Sequence, residues 1–488
     1  MKYTIEREEF FKSITFAVLT VCLTALPLFG QWQADQRLTN DPNESRSAQT
    51  KAVAANGPAV HVVWFDNRDG NQEIYYKSSA DTGLTWSADA RLTNNASNSQ
   101  TPRIVVSGTN LHCVWQDNRD GNYEVYYKRS TDSGMTWGSD TRLTSNSNWS
   151  LFPTLAVSGS GVRLLWMDDR DGNRETYFKS STDNGNTWSS DARLSIDADW
   201  TWSPAIAAAG DTVHAVWYES DAGGNLGKDI WYARSTNSGA TWNSAVNLTN
   251  DPGVSMGPCV GASGPAVHVT WEDNRDGNYE VYYKRSTDSG VTWGSDTRLT
   301  SNSAASTGSS IDVSGSNAHL VWADERDGNS EIYYKSSVNN GISWSPDTRL
   351  TNDGATSFYN SISVSGPAVH VTWYDNRDGN WEVYYKRNPT GNVFIDEQGS
   401  GVPAPKLFSC ATMFKDRIII KFAKPAPASF KIRLYDIAGT LVFEENCGRQ
   451  VSILALQGEK ICGLHRGVYF LNVAPVMGKI AGIKLIKL

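Results

Sequence analysis

One tryptophan recurs at Trp64, Trp115, Trp166, Trp217, Trp271, Trp322 and Trp373, so consecutive copies lie 51, 51, 51, 54, 51 and 51 residues apart. The surrounding text is nearly constant. Trp115 opens the run Trp-Gln-Asp-Asn-Arg-Asp-Gly-Asn-Tyr-Glu-Val-Tyr-Tyr-Lys, which is followed by Ser-Thr-Asp-Ser-Gly-Met-Thr-Trp from Ser130 and by Thr-Arg-Leu-Thr from Thr141. Such a unit holds only short β patterns and turn residues. One four-stranded sheet cannot bury both of its faces alone, so the period implies sheets stacked around an axis: an all-β, seven-bladed β-propeller.

Four strands are expected per unit, in the second at 103–107, 111–117, 123–129 and 137–144. The chain holds seven copies of the first three strands but only six outer strands, because Arg387 is followed by Asn-Pro-Thr-Gly. The stretch Trp-Gln-Ala-Asp-Gln-Arg-Leu-Thr-Asn from Trp32 matches that from Trp86, and is expected to close the ring as the outer strand of blade seven. In the hairpin turn, Gly70 and Asn71 read as the central pair, which sets Arg68 across from Glu73. The same ion pair is expected at Arg119 and Glu124, Arg170 and Glu175, Arg275 and Glu280, Arg326 and Glu331, and Arg377 and Glu382. The oxygens of Asp66, Asp69, Asn71 and Glu73 leave a calcium loop as an alternative, but their spacing is not that of an EF-hand, and neither metal nor cofactor is expected. His61, His112, His214, His268, His319 and His370 each precede the repeated tryptophan by three residues, a regularity that reads as structural.

The segments Ser79–Trp86, Ser130–Trp137 and Ser181–Trp188, with variants ending at Trp242, Trp293 and Trp344, resemble the Asp-boxes, or BNR repeats, of sialidase-like propellers. Physically, serine and aspartate cap backbone N–H groups, glycine supplies a positive φ, and tryptophan fills the gap between blades. The resemblance implies that Asp81, Asp132, Asp183 and Asp288 face away from any active site. It also implies hydrolysis of terminal sialic acid by an arginine triad, a tyrosine–glutamate pair and an aspartate acid. The chain departs from that pattern: it has seven units, and its arginines, tyrosines and carboxylates repeat in register, whereas a catalytic centre needs groups each with its own pKa and geometry.

The ends have other characters. Residues 1–30 read as a signal peptide, with Lys2, Arg7 and Lys12 ahead of an apolar run, and no later run is long enough for a membrane span. The propeller is assigned to 31–390, a linker to 391–405 and a small immunoglobulin-like β-sandwich to 406–488. In the last, Lys431-Ile-Arg-Leu-Tyr-Asp-Ile-Ala-Gly, Arg466-Gly-Val-Tyr-Phe-Leu-Asn and the closing Lys484-Leu-Ile-Lys-Leu resemble the type A sorting domain of the type IX secretion system. That resemblance implies a secreted or outer-membrane-surface protein and the secretion machinery as a partner. Beyond the leader, the scattered cysteines form no disulfide framework, and Cys447 with Cys462 is one pairing compatible with an oxidising compartment. A net charge of −8 with no basic stripe argues against nucleic acid.

Because the blades look interchangeable, function is expected where they differ, on the rim formed by the hairpin turns and the loops leading into the inner strands. Candidate ligand-binding residues are Trp149, Trp200, Trp202 and Tyr359 in the loops, with Tyr123, Tyr279 and Trp381 at the hairpin tips. Exposed aromatics there suit sugar rings or a protein partner; the alternative is packing between neighbouring loops. The fourth hairpin is three residues longer and lacks the arginine, which makes Glu219 and Asp221 weak catalytic candidates. Three functions stay open: a propeller binding glycans or glycoproteins, a sialidase-type glycoside hydrolase, and a protein-binding scaffold or adhesin.

Overall fold

The computed structural model describes residues 32–196, 199–220, 229–390 and, from 408 onward, the strands together with residues 461, 463 and 464. Contacts divide the chain into two units, Met1–Phe394 and Ile395–Leu488. The first is a seven-bladed β-propeller of seven antiparallel sheets. Blade two shows the plan: an inner strand Ser99–Ser107, a second strand Asn110–Asp117, a third Glu124–Ser130 and an outer Thr141–Arg142.

The ring closes through its N-terminal segment. Gln36–Arg37 pairs antiparallel with Glu382–Asn388, Gln36 facing Tyr385 and Arg37 facing Tyr384, and the Leu38 N–H donates to the Val383 carbonyl at 2.8 Å. Apolar residues of adjacent blades share each core. Val63, Ile74, Tyr76 and Leu92 of blade one meet Ile104, Leu111 and Trp115 of blade two, so no blade buries its apolar face without a neighbour.

The outer strands are shorter than the pattern 137–144 suggests, spanning only Thr141–Arg142 in blade two. Trp137 leaves the ladder to stand edge-on against Tyr76 of the preceding blade, with ring centroids 5.1 Å apart. The expected Arg–Glu pairs are also replaced. Asp117, not Arg119, lies opposite Glu124, so Asn118–Tyr123 form the turn, and Gly121 takes φ 99°. Arg119 folds back onto Asp117 and reaches Asp140 at 2.8 Å. Glu124 instead receives Arg142 at 2.8 Å and the Thr144 hydroxyl at 2.5 Å. The recurring Arg-Leu-Thr is thus the clamp on the buried glutamate.

On the opposite end, the Ser130 hydroxyl accepts the Gly134 N–H at 2.9 Å, and Asp132 accepts from the N–H and hydroxyl of Thr136 at 2.9 and 2.5 Å. A Cβ at Gly134 would lie 2.0 Å from the Tyr76 hydroxyl, so this turn admits only glycine against the neighbouring blade.

Blade one breaks the symmetry: Ser45–Arg46 and Val53–Asn56 both pair with Ala59–Asp66, splitting its inner edge. The second unit holds a three-stranded sheet, Phe408–Cys410, Arg417–Phe422 and Ile453–Gln457. Its five-stranded sheet runs Met413–Phe414, Ala481–Lys487, Gly467–Pro475, Phe430–Asp436 and Leu441–Cys447 in spatial order. Ile418, Ile420 and Leu456 of the first and Ile432 and Leu434 of the second are buried. The 1–30 leader and the 391–405 linker lie outside the described residues, as do the side chains of Cys447 and Cys462.

Candidate functional site

Each inner strand begins with an irregularity at one end of the ring. Thr50, Thr101, Phe152, Ser203, Gly257, Gly308 and Tyr359 occupy equivalent positions, all at positive φ between 46° and 66°. In six blades the strand bulges there, as between Gln100 and Arg103. Glycine takes this conformation freely. An aromatic side chain there costs on the order of 1–3 kcal/mol. Phe152 and Tyr359 accept it while 40% and 48% exposed, so the strain holds bulky rings at the surface rather than in the core. The backbone is secured from the preceding blade: Gln116 Oε1 accepts the Phe152 N–H at 3.0 Å, and Glu272 Oε1 accepts the Gly308 N–H at 2.5 Å. Burial pushes the Glu272 carboxyl up to about 7.

The proposed rim residues gather in neighbouring-blade groups instead of one patch. Tyr123 meets Trp149 edge-on at 6.3 Å, and Trp149 is 49% exposed. Trp200 and Trp202 are partly buried 6.3 Å apart, with the Arg174 guanidinium 4.1 Å above Trp202 and 5.2 Å above Trp200. Arg174 is in turn held by Asp169 at 3.2 Å. Tyr359 stacks on Tyr374 at 5.1 Å, Tyr374 meets Trp381 edge-on at 4.9 Å, and Arg46 lies 6.0 Å over Trp381. Tyr279 is partly buried, and burial with the nearby Glu272 charge raises its phenol. In three of these contacts, Tyr123 with Trp149, Arg174 with Trp202 and Trp381 with Arg46, a hairpin tip touches the segment leading into the next blade, while Tyr359, Tyr374 and Trp381 stack within blade seven. Packing between loops and exposure therefore coexist.

Glu219 is buried and accepts from Trp217 Nε1 at 2.9 Å, the position that Asp117 holds for Trp115 at 3.0 Å. It thus occupies a repeated structural site with one extra methylene. Asp221 lies outside the described residues. The oxygens of the calcium alternative are engaged by protein: Asp66 by Ser45 and Arg68, Asp69 by the Tyr75 hydroxyl, and Glu73 by Arg91 and Thr93. Asn71 presents its amide N–H to Glu73. Among the described residues no His, Cys, Asp and Glu cluster could hold a metal ion, and no helix is long and apolar enough to cross a membrane.

The central channel holds what the repeat pattern obscured. Inner strands of all seven blades line a cavity of about 190 Å³ that includes Lys51 and Asp312. Asp312 stands where other blades have Ala54, Val105, Ala156, Ala207, Gly261 and Ser363. Burial raises its carboxyl, and Lys51 together with the N–H groups of Val364 (2.7 Å) and Val313 (3.0 Å) pulls it partly back. Arg103, on the inner strand of blade two, stands where the others have Ala52, Thr154, Ala205, Cys259, Ser310 and Ser361. Burial pushes its guanidinium down to about 10, partly offset by Cys259 of blade five and Tyr359 of blade seven. A register comparison of inner strands, rather than of turns and tryptophans, is the signal that finds both.

No protein-family model matches the chain, and no curated protein matches it. Its fold is that of the polysaccharide lyase Uly1, with a TM-score of 0.54, 10% identity, and 73% of this chain and 99% of that one covered. Lower similarity is found to an oligogalacturonate lyase from Vibrio parahaemolyticus (TM-score 0.49, 10% identity, 74% and 99% covered). A Trypanosoma rangeli sialidase mutant displaying trans-sialidase activity also matches (TM-score 0.44, 12% identity, 94% and 89% covered).

Proposed function

We propose that this chain is an exported propeller, released or held at the outer surface, that binds glycans or glycoproteins through the aromatic side chains of its upper rim. In this reading the apolar leader and the C-terminal unit serve export through the type IX route. The single observation that carries the binding role is the exposed aromatic rim, with Tyr359 of blade seven held at φ 52° and Trp149, ahead of blade three, half exposed. Aromatic faces at fixed orientation suit the apolar faces of sugar rings, and ring orientations set by Tyr374 or Arg174 lower the ordering cost of binding. Binding is preferred to hydrolysis because Glu219 already accepts from Trp217. The fold alone does not choose, since one scaffold serves many functions.

Glycan-array screening of the full chain tests this reading. Wild type is expected to give sugar-specific signals that fall at least ~10-fold in Trp149→Ala and Trp202→Ala with unchanged melting, a loss of about 1.4 kcal/mol or more. A blank array beside a captured protein partner would assign the scaffold role instead. Turnover of a fluorogenic sialoside that disappears in Glu219→Gln would replace binding with catalysis.

A further inference from the structure

The arginines of the hairpins and outer strands are paired with carboxylates: Arg119 with Asp117 and Asp140, Arg142 with Glu124 and Asp120, and their equivalents likewise. Arg103 has no such partner among the described residues. Its one hydrogen bond runs from Nη1 to the Pro102 carbonyl at 3.3 Å, and its Nε is sealed from solvent without an acceptor. The side chains whose charge acts on it are Cys259 and Tyr359, not an acid. Asp312, the acidic residue lining the cavity, is served by Lys51 and by two backbone N–H groups. The channel therefore carries one uncompensated positive charge, which only blade two supplies.

We propose that Arg103 and the channel mouth around it form a binding site for a single oxyanion group, a carboxylate or an inorganic oxyanion. A guanidinium is a planar fork of donors that matches two oxygens of such a group, and it keeps its charge when enclosed. A partly buried charge without a partner weakens the fold, so a bound anion is a net stabiliser. The equivalent residues on the other blades, Ala52, Thr154, Ala205, Cys259, Ser310 and Ser361, are small and carry no carboxylate that could answer the guanidinium. Tyr359, held at positive φ on the same ring, sets a phenol near the guanidinium. The site goes beyond glycan binding: it takes a free anion as readily as an acidic group on a larger ligand.

The full chain in chloride-free buffer of constant ionic strength tests this. Sodium acetate and, separately, inorganic phosphate are titrated while melting temperature is followed. A saturable rise with either anion that is lost in Arg103→Gln supports the site. A rise that persists in Arg103→Gln, or no rise with either anion, overturns it. Without added anion, Arg103→Gln is expected to melt at or above wild type, because it removes an unpaired, partly buried charge. A clear drop would make the guanidinium a structural strut and overturn the proposal. Trp202→Ala is expected to keep the anion response, so a failed glycan screen leaves this test intact. Array signals retained in Arg103→Gln identify the occupant as a free anion, and signals lost there identify it as a group carried by the glycan; both keep the site.

Discussion

Asp117 is fully buried, yet its carboxylate accepts from Trp115 Nε1, the Ser99 hydroxyl and Arg119, a saturation that explains how six of the blades tolerate such a group. Burial alone would raise it, and these bonds hold it below the ordinary carboxylate range. Glu272 differs, because one backbone N–H does not offset its burial. Its folded pKa of about 7 lies above the ordinary 4.5, so the folded state holds the extra proton and this residue's contribution to stability falls as pH rises from about 4.5 to 7. Gln116 makes the same contact without a charge. Glu272→Gln is therefore expected to stabilise the chain by ~1–3 kcal/mol at pH 8 and to flatten that window, as read by denaturant melts across pH. The presence of these residues was legible in the repeat, but their partners were not. Arg68 and Glu73 lie where a two-residue turn would join them, and only the longer turn sends one to Asp66 and the other to Arg91.

The element on which most depends is also among the shortest. Gln36–Arg37 supplies two ladder positions, but the segment also brings Arg37 and Thr39 to the buried Glu382, and Leu38 to a shared core with Val60, Trp64 and Tyr385. Deleting residues 32–40 leaves Glu382 buried without these partners and bares the edge of Glu382–Asn388. The expected result is a loss of at least ~3–5 kcal/mol, with self-association visible in size-exclusion chromatography and a lowered melting temperature. The closing strand could be read from its match to the stretch after Trp86. Strand lengths could not, because Trp137 satisfies the expected alternation and still leaves the sheet once Tyr76 of the preceding blade offers a face. The inner bulges were hidden because only two of the seven residues at positive φ there are glycine.

For the whole ring, repetition multiplies small effects. Six histidines, one in every blade but the third, are buried with Nδ1 against a tyrosine hydroxyl at 2.7–2.8 Å. Burial lowers five of them to about 4 and His370 to about 3, from an ordinary 6.5. The folded ring keeps them neutral. Their contribution is complete above about 6.5 and is lost as pH falls toward 4, since the unfolded chain then binds more protons. A single cooperative acid transition in that window is expected, with uptake approaching six protons; the pH slope of denaturant-derived stability measures it. A shallow slope below one proton would show that the rings reach water in the native state.

The amino-acid sequence by itself determined the number of blades, the closing strand, the expected buried tryptophans and the irregular rim, because these follow from a period and from matches between distant segments. Tertiary structure alone decided which carboxylate each arginine meets, that Glu219 stands in a repeated tryptophan-binding position, and that Arg103 meets no carboxylate among the described residues. The physical reason is that a blade's text describes its own sheet, whereas electrostatic partners across the ring are set by curvature, which brings blades two, five and seven to a common centre.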